Sequence, residues 1–279
     1  MQPGERSWYM RSVRICVLAS GSTGNCLWVE AGQTRALIDC GLPLRETRRR
    51  CLEAGLPFKE LTDVFLTHEH ADHSYAAGIL ARKLGVRVHA TRGTWRALRD
   101  PPPPSLRHAV REGIPVRLGE LTVTPIGVPH DAGEPVAYRF DDGAASGALV
   151  TDLGCAPPPL WRSLRGLDAL VVEMNHDLRM LLDGPYPWSL KKRIRSDHGH
   201  LSNEQGARLL SRLAHEGLRH VVLAHLSEHN NSEKHARRAA EEALAKRGSK
   251  AHLSIGSPAR PLDPLVVTPK RARQLALFA

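Results

Sequence analysis

Three features of the sequence point to an α/β protein. Short apolar segments bounded by glycine and asparagine turns fill its first half. Its second half alternates strand-like and helix-like patterns. Within the first half lies a histidine-rich turn, placed where an apolar strand runs into a helix. At 279 residues the chain allows one large domain or two small ones. Apolar residues make up 42% and charged residues 24%, which sets it with globular proteins and apart from disordered, collagenous or coiled-coil chains. No apolar run approaches the ~18–20 residues that cross a bilayer, and residues 1–14 hold no apolar stretch followed by a cleavage site. A cytoplasmic protein with neither membrane span nor secretion signal is expected.

In chain order, strands are expected over 13–18, 26–30, 36–39, 64–67, 86–89, 121–128, 136–140 and 148–151. Gly21, Gly24-Asn25, Gly41 and Asp141-Asp142-Gly143 give the reversals between them their backbone freedom. Helices are expected over 44–54, 74–84 and 91–99. The run of prolines over 101–104 reads as a rigid surface loop rather than a linker, because strand signals of the same character resume beyond it. Further on, 170–173 and 220–223 read as short apolar strands. An amphipathic helix over 203–215 is opened by Ser202, and another spans 233–246. From Ser257 the composition turns to Pro258, Pro261, Pro264, Pro269 and basic residues. The expected organisation is one domain over 11–255 and a Pro-rich basic tail over 256–279.

Five cysteines (Cys16, Cys26, Cys40, Cys51 and Cys155) form an odd count with no CxxC spacing. Neither a disulfide framework nor a cysteine zinc ribbon is indicated, and they read as reduced core thiols. Lys and Arg outnumber Asp and Glu by 39 to 29, a net charge of +10 that favours a polyanionic partner. The 15 histidines carry more information, because several are clustered.

The cluster is Thr67-His68-Glu69-His70-Ala71-Asp72-His73, directly after the apolar segment 61–66. His68 and His70 lie two apart and so leave the strand exit on one side. Asp72 and His73 sit where the next helix begins. Imidazoles with a carboxylate and no thiolate suit zinc, and also manganese or iron. A solvated histidine turn is the alternative, but HxHxDH after an apolar strand is a specific pattern. With this turn the chain resembles the metallo-β-lactamase-fold hydrolases. Other landmarks follow in that family's order: Asp39 in Leu37-Ile38-Asp39-Cys40-Gly41, then His130, Asp152 in Val150-Thr151-Asp152-Leu153-Gly154, and His225 in Leu223-Ala224-His225-Leu226-Ser227. The resemblance implies a four-layer αββα metallo-β-lactamase sandwich with two divalent metal ions, Zn or Mn. His68, His70 and His130 would hold one ion, Asp72, His73 and His225 the other, and Asp152 would bridge them. Asp39 is placed behind the ligands, hydrogen-bonding the histidine turn, since a metal-binding imidazole needs its other nitrogen fixed. Taken singly, His130 and His225 read as structural histidines and Asp152 as a turn residue.

This scaffold serves lactams, thioesters, lactones, sulfur compounds and nucleic acids, so the second half must decide the substrate. Val171-Val172-Glu173 and Gly199-His200-Leu201-Ser202 resemble the phosphodiesterase branch that includes the tRNA-processing RNase Z enzymes, in which the matching His contacts the scissile phosphate and the matching Glu orients it. Longer strings resemble the YycJ/WalJ-type exonuclease branch: Leu18-Ala19-Ser20-Gly21-Ser22-Thr23-Gly24-Asn25-Cys26, Glu173-Met174-Asn175-His176-Asp177, Tyr186-Pro187-Trp188-Ser189-Leu190-Lys191, and His225-Leu226-Ser227 with Asn230-Asn231. That resemblance implies 5′ to 3′ exonucleolytic digestion of double-stranded DNA in repair or replication, a two-metal-activated hydroxide attacking phosphorus. The catalytic residues would be Asp72, His200 and Glu173, with His200 donating a proton or hydrogen bond toward the leaving oxygen. Asp152 and His225 are only 73 positions apart, so the inserted domain of RNase J and CPSF-type nucleases is absent.

Several segments admit two readings. The loop carrying Ser22 and Asn25 either offers backbone N–H groups to a phosphate or is a plain tight turn. Lys191, Lys192, Arg193 and Arg195, next to Trp188, are either nucleic-acid-binding charge beside a stacking ring or a solvated helix face with a core Trp. His176 reads as support for the site or as a substrate contact. Gln274, Leu275, Leu277 and Phe278 resemble the short peptide by which bacterial replication and repair proteins dock on the DNA sliding clamp, held clear of the enzyme body by the Pro-rich segment. The alternative is a terminal apolar segment packed on the domain. DNA is the expected partner, with RNA open and no membrane. Two other functions compete: a lactonase or thioesterase of the same fold, and a catalytically silent DNA-binding module. Glu173, His200, the basic segment and the +10 charge argue against the first, and the intact ligand set against the second.

Overall fold

Both faces of the strands are buried. In β1 (Val13–Ala19), Val13, Ile15 and Val17 face one side and Cys16 and Leu18 the other, and all five are buried. β2 (Cys26–Ala31) and β3 (Thr34–Ile38) repeat the alternation, with Leu27, Val29, Ala36 and Ile38 on the first side and Cys26, Trp28 and Leu37 on the second. A sheet built this way needs a covering layer on each face. The computed structural model, which describes residues 12–268, supplies a second sheet on one face and helices on the other.

β4 (Asp63–Phe65), β5 (Arg87–Ala90), β6 (Arg107–Ala109) and β14 (Leu265–Val267) complete the first sheet, in the order β14-β1-β2-β3-β4-β5-β6. Its outer face carries α1 (Leu44–Glu53), α3 (Ala77–Leu84) and α4 (Arg92–Ala97), with Cys51, Leu80 and Ala81 packed on Trp28 and Leu37 in one apolar cluster, while the single turn α2 (Ala71–Ser74) belongs to the histidine turn beyond β4. β7 (Val116–Leu118), β8 (Leu121–Gly127), β9 (Val136–Asp141), β10 (Ser146–Val150), β11 (Ala169–Glu173), β12 (His220–Ala224) and β13 (His252–Ile255) form the second sheet, in the order β13-β12-β11-β10-β9-β8-β7. Leu160 of α5 (Pro158–Ser163), Leu209, Leu210 and Leu213 of α8 (Asn203–Leu213) and Ala236 and Ala240 of α9 (Glu233–Ala245) cover its outer face. Between these lie two short helices, α6 (Leu178–Asp183) and α7 (Trp188–Ile194). The layers are helix, sheet, sheet, helix, the expected four-layer sandwich. No helix among the described residues is long and apolar enough to cross a membrane.

Each sheet is antiparallel on one side and parallel on the other, with β3 to β6 and β10 to β13 parallel. Ligand sites on parallel sheets form beyond the carboxyl ends of the strands. The histidine turn leaves the end of β4, Asp152 follows β10, and His225 follows β12.

Three differences from expectation have physical causes. The helix expected over 74–84 is split into α2 and α3, because Ala76 N–H donates to the Cys40 carbonyl across the site instead of continuing the helical ladder. Lys191 and Asn25 turn inward, as described below. The segment from Ser257, expected to leave the domain, returns to it: β14 pairs antiparallel with β1, Val267 opposite Val13, and Val267 is buried. Arg50, itself buried, clamps this return by donating to the Leu18 and Pro258 carbonyls at 2.9 and 2.8 Å. The boundary expected at 255/256 is therefore overturned as far as Thr268. The peptide containing Gln274, Leu275, Leu277 and Phe278 lies outside the described residues.

One buried ionic group holds the middle of the first sheet. Asp63, fully buried at the start of β4, accepts two hydrogen bonds from Arg87, each 2.8 Å, and lies 2.7 Å from His89 Nε2. Burial pushes its carboxyl up, but the donors from His89 and Arg87 outweigh it and hold it below the usual range. A carboxyl depressed on folding contributes stability above its unfolded pKa, roughly pH 4, and loses it as the pH falls through the folded value. Asp63→Ala is expected to cost about 3 kcal/mol at neutral pH, and less at about pH 3, in urea unfolding. An equal cost at both would exclude an ionic role.

Candidate metal centre

Three strands end in the same left-handed turn. Asp39 after β3, Asp152 beyond β10 and His225 after β12 have φ of 62°, 58° and 56°, and no other non-glycine residue among those described has positive φ. Asp and His enter this region more readily than most side chains, but it is held only where the surroundings over-determine it. Here the surroundings are close. A Cβ on Gly41 would lie 1.7 Å from the Asp72 carbonyl oxygen, so glycine lets the loop after β3 press on the histidine turn. Asn25 N–H donates to the Asp72 carbonyl and Cys40 N–H to that of His73, both at 2.7 Å.

The side chains converge in overlapping groups. His68, His70 and His130 form one, Asp72, His73 and His225 another, and Asp152 joins His68 and His73 in a third; within each, potential ligand atoms all lie within 4.8 Å of one another. His73 Nε2 is 3.4 Å from Asp72 Oδ2 and 3.2 Å from Asp152 Oδ2. His225 Nε2 is 3.7 and 3.6 Å from the same two carboxylates. His68 Nε2, His130 Nε2, His225 Nε2 and Asp152 Oδ2 are buried with no hydrogen-bond partner. Such atoms are costly unless something satisfies them. A donor set of imidazole nitrogens and carboxylate oxygens without thiolate fits zinc or manganese. Burial works against charge on His73 and His225, yet the Asp152 carboxylate, with Asp39 beside His73 and Asp72 beside His225, raises both, His225 to about 10. The centre thus has an excess of negative charge that protons or cations must offset.

The other nitrogen of four of these imidazoles, His68, His73, His130 and His225, is fixed by the protein. Asp39, with no exposed surface, accepts from Thr67 N–H at 2.8 Å and from Thr67 Oγ1, and its Oδ2 is 2.8 Å from His73 Nδ1. Thr67 Oγ1 is in turn 2.9 Å from His68 Nδ1. His130 Nδ1 donates to the Gly199 carbonyl at 3.1 Å. On the second sheet, Glu173 does for His225 what Asp39 does for His73. It is fully buried, accepts from the N–H groups of Asp152, Leu153 and Leu201, and holds His225 Nδ1 at 3.1 Å and His200 Nδ1 at 2.9 Å. Burial alone would raise its carboxyl; the imidazoles of His200 and His225 hold it well below the usual range. Asp152, Glu173, His200 and His225 are a fourth group within 4.8 Å.

His200 and His225 face a cleft of about 170 Å³ lined also by Ser22, Asp131, Tyr186, Arg193 and Ser227. Ser22 is exposed there. Asn25 is not: its side chain is buried, accepts from Gly21 N–H at 2.9 Å, and sits 3.0 Å from His73 Nε2, so it braces the centre instead of meeting a nucleic acid. Lys191 is also turned inward, buried and donating to the Leu182 carbonyl at 2.7 Å. Arg193 reaches the cleft and donates to Asp131, while Lys192 and Arg195 stay exposed. Trp188 is 55% exposed, so it is not a core residue. His176 is buried, where burial pushes its imidazole down to about 4, and its carbonyl accepts from Asn203 N–H.

Some supports gave no local signal. Ser20 Oγ accepts from His225 N–H at 2.7 Å, Asn175 Nδ2 donates to the His225 carbonyl at 3.0 Å, and Asn231 Nδ2 ties the Met174 and Asn175 carbonyls together. Asn175 and Asn231 lie within strings already singled out by resemblance, but their contacts cross some 50 positions of chain.

The sequence profile of the Beta-lactamase superfamily domain matches residues 34–226. Exodeoxyribonuclease YycJ of Bacillus anthracis is 37% identical over 239 residues, 85% of this chain and 90% of that protein. Exodeoxyribonuclease WalJ of Streptococcus pneumoniae serotype 2 is 35% identical over 223 residues, 78% of this chain and 83% of that protein. Among solved structures, the metallo-beta-lactamase fold protein YhfI from Bacillus subtilis superposes with a TM-score of 0.67 at 18% identity, covering 90% of this chain and 99% of that one, a likeness of fold. The chain belongs to the β-lactamase superfamily, with the YycJ/WalJ proteins, and is a metal-dependent hydrolase.

Removing Asp39 takes away the 2.8 Å carboxylate partner of His73 Nδ1 and leaves only Thr67 Oγ1 at 3.3 Å, and so tests whether that fixed nitrogen matters. Asp39→Ala is expected to weaken metal binding by about 10- to 100-fold in competition with a chelator. Affinity equal to the wild type would take His73 out of the ligand set.

Proposed function

We propose that this member of the superfamily is a two-metal phosphodiesterase acting on nucleic acid, and more narrowly a 5′ to 3′ DNA exonuclease serving repair or replication. The observation that carries the reading is Glu173, one buried carboxylate that orients His225 within the candidate metal centre and His200 at the edge of the cleft. The two named exodeoxyribonucleases, similar along most of their length, support it. In this reading His68, His70 and His130 would hold one divalent ion and Asp72, His73 and His225 the other, with Asp152 available to both ligand sets. When bound, Zn or Mn ions would supply Lewis acidity toward a phosphate and lower the pKa of an attacking water.

The chain's own groups do the rest. His200 Nδ1 is engaged by Glu173, which leaves Nε2 to donate a proton to the leaving oxygen as the phosphorus–oxygen bond breaks. Asp72 and Asp152 hold the centre together across the seam between the sheets, through His73 and His225. Arg193, Ser22 and Ser227 present a guanidinium and two hydroxyls along the cleft for a neighbouring phosphate, and Tyr186 offers a ring face for a sugar or base. At about 170 Å³ the cleft is smaller than the ~300–1,000 Å³ sites that enclose drug-sized ligands, which suits one nucleotide of a longer chain.

The deciding assay presents duplex DNA labelled at either end, single strands, RNA, a thioester and a lactone, with Zn²⁺, Mn²⁺ or Mg²⁺ in turn. Mononucleotides released from 5′ ends of duplex DNA are expected. Turnover of only the thioester or lactone would replace the reading with a small-molecule hydrolase. Asp72→Ala is expected to abolish turnover. His200→Ala is expected to keep its metal content and lose about 10²- to 10⁴-fold in rate; loss of metal instead would make His200 a ligand. We also propose that the C-terminal string docks on a bacterial sliding clamp. A peptide over 270–279 is expected to bind purified clamp, and one with Gln274, Leu277 and Phe278 replaced by Ala is not; equal behaviour of the two would remove the clamp.

A further inference from the structure

Away from the cleft, on the outer face of the second sheet, three guanidinium groups converge on one indole. The centres of Arg165, Arg162 and Arg212 lie 4.9, 5.5 and 5.8 Å from the ring centroid of Trp161. Trp161 is partly buried against the core beneath α5 and α8, while the three arginines are exposed. None of the three pairs with a carboxylate among the described residues. A fourth, Arg139, donates to the Ser163 and Arg165 carbonyls at 3.2 and 2.9 Å and closes the end of α5.

Arg162 and Arg212 each sit in the last turn of a helix, where the macrodipole favours a cation. That explains either residue alone, but not the gathering of three like charges, one of them beyond both helices, on a single ring. An exposed cation–π contact returns about 0.5–1 kcal/mol, set against mutual repulsion within the trio. The arrangement leaves exposed N–H forks with no acceptor among the described residues, and such forks match phosphate oxygens.

We propose that the Trp161 arginine cluster is a second nucleic-acid surface that grips the backbone of duplex DNA whose end lies in the cleft. This rests on the phosphodiesterase reading above. α8 connects the two places: Ser202 caps its start two residues after His200, and Arg212 lies in its last turn. At ~1.5 Å per residue that is about 15 Å, and with duplex phosphates about 3.4 Å apart along a strand the cluster meets phosphates some four to five base pairs or more from the reacting one. The cluster therefore serves long substrates and not the chemical step.

The test combines Arg162→Ala, Arg165→Ala and Arg212→Ala in the full chain and measures binding to a duplex of about 30 base pairs against salt, together with hydrolysis of bis(p-nitrophenyl) phosphate. Three lost phosphate contacts lower the log–log salt slope by about 2.7, so between about 50 and 200 mM salt the wild type should lose roughly 40-fold more affinity than the variant. Hydrolysis of the small diester should match the wild type, and replacement of the same three residues by Lys should keep most of the slope. An unchanged slope overturns the proposal. So does an equal fall when Arg45, Arg48 and Lys59, exposed on the first sheet's helical side, are replaced by Ala instead, since net charge would then account for it. A parallel loss of diester hydrolysis overturns it as well, by showing damage to the site. A wild type that binds no duplex at all refutes the nucleic-acid reading itself, which the variant arm leaves distinct.

Discussion

Everything at the seam between the sheets depends on two carboxylates that no water reaches. Asp39 ends a strand of the first sheet and Glu173 a strand of the second, and neither has exposed surface. A buried carboxylate is tolerated only when donors occupy its oxygens. Asp39 takes the Thr67 backbone and hydroxyl and faces His73; Glu173 takes three backbone N–H groups and faces His200 and His225. The imidazoles that satisfy these oxygens through Nδ1 are thereby aimed with Nε2 toward the centre. Satisfying the burial of two acids and orienting a metal site are one structural act.

The same demand explains the strained backbone. Asp39, Asp152 and His225 each leave a parallel strand in the left-handed region, at the ends of β3, β10 and β12. Continued extension would carry these side chains to alternate faces of their sheets, away from one another. The reversed φ brings the residues together at the seam, and the contacts that hold them there are reciprocal: Ser20 receives His225 N–H, Glu173 receives Asp152 N–H, and Asp39 N–H itself donates to Phe65. Strain of this kind persists where the two sheets over-determine the position.

How much of this was legible in the sequence follows from the range of each interaction. The HxHxDH turn is local, and its neighbours in space are its neighbours in sequence, so spacing alone exposed it. His130, Asp152 and His225 carry no such local mark, and only their order in a family pattern singled them out. Sheet membership was readable where both faces alternate apolar residues, as in β1 to β3, and unreadable in β14, a three-residue strand inside a proline-rich stretch whose partner is 254 positions earlier in the register of Val13 with Val267. Lys191 and Asn25 were misplaced for a related reason: each is polar and sits among polar residues, and only a distant carbonyl at Leu182 or a turn at Asp72 makes inward burial cheaper than exposure.

Glu173 shows where local reasoning fails in the most instructive way. A glutamate that closes the apolar run Ala169–Glu173 ordinarily marks the point where a strand meets solvent, and as a single residue it reads as a surface carboxylate. Its burial becomes possible only when the ends of β10 and β12 and the turn at Leu201 all arrive with donors, so no window of sequence around it contains the reason for its place. Gly206 extends the point, since a Cβ there would lie 2.5 Å from the Glu173 carbonyl oxygen, and a helix residue more than thirty positions away must be small for that strand end to close. Residues that break a local rule and are then satisfied from several elements at once are those to which chemistry can be attached, because nothing less than the whole fold holds them still.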